Sequence, residues 1–217
     1  MSIIQSIIGT NLTISGGGGT YPEPGSGSYS FNGGGGFSQV GTAYDPGGAL
    51  DNVTSPQAGW WRIAVPGTWS NSGNNDNPSI FQSAVSGIVD TYGGFGFNQL
   101  SDNFAMEWKG YIRAYTTATY WNVRIESDDV ARFWIGSAAL DPDNNDSHAY
   151  SNNNTVLNNN SLLLTDGKWY PIRLRFQEWS GAEYCQVYFA AEGGTMLPVK
   201  TLSDAGHIVF NASTAGY

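Results

Sequence analysis

Residues 104–135 read FAMEWKGYIRAYTTATYWNVRIESDDVARFWI, and the spacing of apolar residues in this stretch decides the fold. Apolar and polar residues alternate in a first run from Phe104 to Arg113 and again in a second run from Tyr120 to Glu126. A period of two predicts two half-buried β-strands. The threonine-rich link at 116–119 is short enough for a β-hairpin between them.

Two adjacent carboxylates, Asp128 and Asp129, follow the second run directly and precede the apolar run 133–135. The pattern therefore puts both at the joint between two strands. Neighbouring carboxylates repel each other unless they share a proton or a cation. Calcium accepts six to eight oxygen ligands, so a hard cation suits such a pair. The alternative is an ordinary acidic turn, because Asp is a common turn residue.

The composition of the 217 residues indicates an all-β chain with polar loops. Charged residues make up only 12%, aromatic residues reach 14%, and glycine occurs 29 times. A formal charge of −9 disfavours nucleic acid and anionic membranes as partners. The one cysteine, Cys185, excludes an internal disulfide and alternates with apolar neighbours as a core residue does. The chain has no apolar run long enough to span a bilayer.

The second half of the chain predicts further strands around a turn. Residues 170–177 alternate between Tyr, Ile, Leu, Phe on one side and Pro, Arg, Arg, Gln on the other, after a turn at Asp166 and Gly167. Residues 178–182 form a second turn before the run 184–189. The segment DPDNND at 141–146 is similar to a calcium loop but lacks the Gly and Glu of an EF-hand, which favours a solvated polar loop.

The N-terminal region predicts an extension separate from the main domain. Residues 2–14 predict one strand or a short amphipathic segment, and glycine runs at 16–19 and 33–36 indicate a linker. We divide the chain into an attachment segment, 1–38, and a domain, 39–217. The segment docks on a partner or neighbouring subunit, or forms an edge strand of the same domain. No basic residue precedes Arg62, so a secretory signal is not recognisable. This favours release by cell lysis, as for phage virion proteins, or a trimmed chain.

The segment WKGYIRAYTTATYWNVRIESDDVARFWIG, followed by LTDGKWYPIRLRFQEWSGAEYCQVYF, resembles the protective-antigen (PA-fourteen) domain family. The resemblance implies a jelly-roll-like antiparallel β-sandwich of two sheets, used as a carbohydrate-binding module in glycosidases, toxins and adhesins. Lectin members hold calcium on an Asp-cis-Asp motif, which falls here on Asp128 and Asp129. Val130 stands where the family usually has glycine, and valine disfavours positive φ, which predicts a local difference in the loop.

The same resemblance assigns residues 178–182 as the second ligand loop. It implies Glu178 as the third carboxylate around the ion, where Asn is commoner among lectin members. It also implies that Trp179 stacks on a sugar face, with Ser180 beside it. An exposed aromatic side chain offers apolar area at low entropic cost. The alternative for Trp179 is a packed turn residue.

Three functions are compatible with these features. The first is a calcium-dependent carbohydrate-binding or adhesion domain on a virion or other exposed, extracellular surface. Its partners would be cell-surface or polymeric carbohydrate, other virion proteins through the N-terminal segment, and copies of itself in a homo-oligomer. The second is a non-lectin structural or decoration protein of a phage particle. The third, a glycoside hydrolase, is disfavoured, because carboxylates adjacent in sequence do not face each other across a substrate. We therefore predict a protein that is not an enzyme.

Overall fold

The computed structural model describes residues 45–66, 81, 88–90, 102–118, 120–143, 149–152, 156–181, 184–211, 213, 214 and 217. Within this part of the chain lie twelve strands and two short helices. The strands are β1 Pro56–Ala58, β2 Trp60–Pro66, β3 Ile88–Asp90, β4 Phe104–Arg113, β5 Trp121–Asp128, β6 Val130–Ile135, β7 Ala149–Asn152, β8 Val156–Leu162, β9 Trp169–Glu178, β10 Tyr184–Ala191, β11 Leu197–Pro198 and β12 Ile208–Asn211. The helices are α1 Ser137–Leu140 and α2 Val199–Asp204.

The described strands form two antiparallel sheets, which confirms the predicted β-sandwich. The larger sheet has the order β1-β12-β4-β9-β6-β7, with β2 also paired to β4 and β3 to β2. The smaller sheet has the order β11-β10-β5-β8. At the centre of the larger sheet, β4 and β9 pair along their whole length, from Phe104 opposite Glu178 to Arg113 opposite Trp169.

The core lies between the two sheets and is built from the alternating apolar residues. Phe133 of β6 and Phe189 of β10 meet across the sandwich, with their ring centroids 5.3 Å apart. Trp108 and Trp121 are fully buried in the same cluster. Each such aromatic side chain removes a large apolar area from water, which drives the two sheets together. Cys185 is a free, buried core residue as predicted, and burial raises the pKa of its thiol.

The predicted hairpin between the first two strands is wrong. β4 belongs to the larger sheet and β5 to the smaller one, so the link between them crosses the edge of the sandwich. Ala114 is held at this crossing by backbone hydrogen bonds to Lys168 and Gly167. Alternation shows that each strand has an apolar face. It does not show whether two strands lie side by side in one sheet or opposite each other in two sheets, because both arrangements bury these faces. Here they are opposite.

The strands β6 and β9 are buried on both faces, whereas alternation predicts half-buried strands. On the face away from the core, Arg132, Arg173 and Arg175 are each at most 4% exposed. Helix α1 and the residues after it cover them: Arg173 donates to the Ala138 carbonyl and Arg175 to the Pro142 carbonyl. The arginines are charged side chains that the sequence pattern assigns to solvent, and the chain itself covers them.

Several predictions fall outside the described residues. They include the attachment segment 1–38 with its docking role, Asp146 of the polar loop and residues 182–183 of the second turn. The division at residue 38/39 stays a prediction. The helices in the described ranges are too short and too polar to cross a membrane.

Candidate functional site

The aspartate pair lies where the chain crosses from the smaller to the larger sheet. β5 ends at Asp128 and β6 begins at Val130, so Asp129 is the only residue between the two strands. This confirms the predicted position at a joint between strands. The peptide bond between Asp128 and Asp129 is cis, as the resemblance implies. Ser127 donates its hydroxyl proton to the Asp129 carbonyl at 2.9 Å across this joint.

The two carboxylates have different surroundings. Asp129 is 6% exposed, and its Oδ2 accepts a hydrogen bond from the backbone N–H of Trp179 at 2.8 Å. Asp128 is only half-buried. Burial, and then the charge of Asp129, raise the pKa of the Asp128 carboxyl above its usual range. The charge of Asp129 therefore disfavours the ionised form of Asp128, and a cation bound beside Asp128 would relieve that repulsion.

The second loop, residues 179–181, is held by three hydrogen bonds, one to Asp129 and two to the turn at Asp102 and Asn103. Besides the bond to Asp129, the Trp179 carbonyl accepts from the Asn103 N–H at 3.2 Å, and Gly181 N–H donates to Asp102 Oδ1 at 3.0 Å. Asn103 adopts a positive φ of 61°, a conformation that Asn tolerates better than most residues. Sequence reasoning missed Asp102 and Asn103, although an Asp-Asn pair just before a strand is a turn signal.

The predicted sugar-binding residues differ in how accessible they are. Ser180 is exposed on the second loop. Trp179 is half-buried and packs against a small apolar cluster that contains Phe81, Ala105 and Val130. Val130 has no positive φ; it extends as the first residue of β6 and fills that cluster. Val130, at the position where the family usually has glycine, therefore belongs to the apolar cluster on which Trp179 packs.

Glu178 is the last residue of β9 and directly precedes Trp179, whose N–H donates to Asp129. It is fully buried, and along β9 it continues the core-facing series of Ile172, Leu174 and Phe176. Asp128 instead continues the outward-facing series of β5. Among the described residues, no three His, Cys, Asp or Glu side chains converge as they would around a metal ion. In the polar loop, Asp141 accepts a hydrogen bond from the Asp143 N–H at 3.0 Å, as in a local turn.

The donor chemistry at this pole nevertheless fits a hard cation. Calcium is bound in proteins by carboxylates and by backbone carbonyls. Asp128 and Asp129 offer carboxylate oxygens, and the second loop lies beside them through the bond from Trp179 N–H to Asp129. A concave surface lies at the opposite end of β9, near Tyr170, and includes neither Asp128 nor Asp129. It is lined by Asp45, residues 47–49 and residues 163–165.

Two antiparallel sheets, with an aspartate pair where the chain crosses between them, define a β-sandwich domain. The family model of the PA14 domain matches residues 64–195. The match spans more than half of the chain, and the chain belongs to the PA14 domain family.

Similar solved structures agree with the fold. The epithelial adhesin 6 A domain from Candida glabrata, solved in complex with Galβ1-3GlcNAc, is 19% identical at a TM-score of 0.56; the match covers 79% of this chain and 95% of that chain. The epithelial adhesin 9 A domain from the same yeast, in complex with Galβ1-4GlcNAc, is 16% identical at a TM-score of 0.50, covering 69% and 89%. At these identities the likeness shows the fold alone. No curated protein matches the sequence.

Proposed function

We propose that this domain binds carbohydrate at the pole that carries Asp128 and Asp129, and that binding depends on calcium. The observation that carries the proposal is the aspartate pair at the sheet crossing, with the second loop hydrogen-bonded to Asp129. Family membership supports the same function, as do the glycans bound in similar adhesin domains. We propose binding rather than catalysis, because two adjacent aspartates cannot flank a scissile bond.

Asp128 and Asp129 are the proposed calcium ligands, with Glu178 as a proposed third carboxylate. Bound calcium would complete its coordination with sugar hydroxyl oxygens. Asp129 has two tasks in this proposal, because one of its oxygens also fixes the second loop through Trp179 N–H. Asp128, half-buried at the edge, faces the incoming ligand. Glu178 would contribute from the core side, where its carboxylate is fully buried.

Ser180 and Trp179 are the proposed contacts with the sugar itself. Ser180 is exposed, and its hydroxyl can both donate to and accept from a sugar hydroxyl. Trp179 offers only the exposed part of its ring, since the rest packs on Ala105 and Val130. A contact this small gives a weak single site, and binding of polymeric or cell-surface carbohydrate would gain from several copies.

The proposed setting is an extracellular surface or the surface of a virion. Residues 1–38 would attach the domain to other virion proteins or to a second copy of the chain. Deleting residues 1–38 tests this part: an unchanged oligomeric state and unchanged attachment would remove it. The sugar-binding domain should bind its ligand equally well with or without this segment.

The experiment that tests the function is a glycan array with calcium, repeated with a chelator. We expect binding to be lost on chelation and in Asp128→Ala, while calorimetry detects calcium binding in the parent and not in this variant. Glu178→Gln reports separately on the third ligand through its calcium affinity. Asp204→Ala, which removes an exposed aspartate on α2, is the matched control and should bind normally. Glycan binding that survives both chelation and Asp128→Ala would refute calcium dependence.

A second candidate is a structural or surface-decoration protein that uses the same sandwich without binding sugar. The half-buried Trp179, the fully buried Glu178 and the lack of a three-residue acidic cluster in the described ranges favour it. A blank glycan array together with a blank calcium titration, on protein that unfolds cooperatively, would select this candidate.

A further inference from the structure

The outer face of the smaller sheet carries a row of polar and aromatic side chains that begins at Asp128. In the pairing of β5 with β10, Asp128 lies opposite Tyr184, Glu126 opposite Gln186, and Arg124 opposite Tyr188. Residues directly opposite in an antiparallel pair project from the same face. We call the group Arg124, Glu126, Tyr184, Gln186 and Tyr188 the tyrosine face. It adjoins the proposed ligand aspartate without a break.

The side chains of the tyrosine face hold one another in place. Glu126 Oε2 accepts from the Tyr184 hydroxyl at 2.7 Å, and Arg124 forms an ion pair with Glu126 Oε1. Tyr188 donates its hydroxyl proton to Gln186 Oε1, and its ring lies 5.7 Å from the Arg124 guanidinium carbon. These bonds fix the rotamers before any ligand arrives, which lowers the entropic cost of binding.

The tyrosine face is also accessible and long enough for a ligand. The Arg124 and Glu126 side chains are 27% and 19% exposed, Tyr184 and Gln186 are half-buried, and Tyr188 is buried beneath them at 4%. Arg124 lies four positions before Asp128 along β5, which is about 13 Å of strand. Among the described residues, no hydrogen bond uses the two amide N–H donors of Gln186, which leaves them for an outside acceptor.

We propose that the tyrosine face is an extended subsite for a neutral oligosaccharide whose terminal unit is held at Asp128. The proposal deepens the proposed sugar-binding function and rests on it. The ion pair between Arg124 and Glu126 cancels the local charge, so an uncharged chain fits better than an acidic one. The next sugar unit would accept hydrogen bonds from the Gln186 amide and rest against the Tyr184 ring, since tyrosine offers both apolar area and a polar tip.

The test compares glycans of increasing length on the parent protein and on variants of the tyrosine face. The probes are an array of monosaccharides and the linear neutral oligosaccharides that contain each of them as the terminal unit. In the parent, we expect affinity to rise from one sugar unit to two or three. Gln186→Ala and Tyr184→Ala should keep the parental monosaccharide affinity and lose about fivefold to tenfold of the gain with length. Gln57→Ala, an exposed glutamine on β1 of the other sheet, should keep the whole gain.

Three results would overturn the proposal, and they can be told apart. If the parent binds monosaccharides but gains nothing with length, the subsite does not exist. If the gain exists but is unchanged in Gln186→Ala and Tyr184→Ala, the longer glycan runs elsewhere. In both cases the sugar site at Asp128 stands. A parent protein that binds no glycan on the array removes the proposed function, and the subsite with it.

Discussion

The buried ion pair between Glu107 and Arg175 should be the most sensitive polar contact in the larger sheet. Both side chains are 1% exposed, and Arg175 Nε donates to Glu107 Oε2 at 2.6 Å. On its other side, Arg175 lies opposite Arg132 in the pairing of β9 with β6. Glu107 is therefore the acid that compensates a cation which already faces another cation. Its replacement by leucine would remove the carboxylate that pairs with the buried Arg175 and with Lys109.

The expected cost follows from what happens when one partner of a buried pair is removed, which is about 3–5 kcal/mol. For a chain of this length, each kcal/mol lowers the melting temperature by about 2–4 °C, so Glu107→Leu should melt roughly 6–20 °C below the parent. Urea unfolding followed by tryptophan fluorescence measures the change, with an unaltered m-value as the sign that the denatured state is the same. The double variant Glu107→Leu/Arg175→Met removes both charges and should recover most of the loss.

The reasoning would be refuted by a Glu107→Leu variant that unfolds within about 1 kcal/mol of the parent. It would also be refuted if the double variant were no more stable than Glu107→Leu alone. That result would mean that the loss of unfolding free energy arises from altered packing rather than from the broken ion pair.

Three further outcomes are expected. Asp102→Ala, which releases a backbone N–H of the second loop, should weaken glycan binding about fivefold with no change in the urea midpoint, and Asp102→Asn should restore it. Burial lowers the pKa of His207 below 6.5, so the stability that its neutral ring contributes is complete above about pH 6.5 and is lost as the pH falls; His207→Phe should show a flatter decline in urea midpoint between about pH 7.5 and 5.5. Gly136→Ala should lower the melting temperature far more than Gly193→Ala: both glycines have φ near +70°, but only at Gly136 would the new Cβ meet a backbone atom, the Pro46 carbonyl oxygen at 2.2 Å.

The sequence predicts the strands of this fold well because alternation reports directly on burial. The runs around Trp108, Val123 and Leu174 each become a strand with the expected core-facing residues. The aspartate pair is predicted at a joint for the same reason, since apolar alternation stops at Ser127 and resumes beyond the pair. A local pattern is sufficient for each of these conclusions.

Features that depend on distant partners are not encoded in such local patterns. The choice between a hairpin and a sheet crossing after β4 depends on how the twelve described strands are distributed between the two sheets. The burial of Arg173 depends on α1, and the position of the second loop depends on Asp102, which precedes it by 79 residues. The role of Glu178 as a ligand stays a prediction, and the structure shows its side chain fully buried at the end of β9.

Asp128 and Asp129 show how one sheet crossing can give two identical side chains different tasks. Asp128 still belongs to β5, so its side chain continues the outward row that leads to Tyr184. Asp129 belongs to neither strand and is almost fully buried, and one of its carboxylate oxygens accepts a hydrogen bond from Trp179 N–H. Asp128 is half-buried and partly accessible to solvent, whereas Asp129 holds the second loop through Trp179 N–H. In the proposed calcium site, the position of the second loop is therefore coupled to the aspartate pair, because Asp129 belongs to the pair and also bonds the loop. We expect substitutions at Ser180 and Gln186, the proposed sugar contacts, to alter specificity without removing the bond between Asp129 and the second loop.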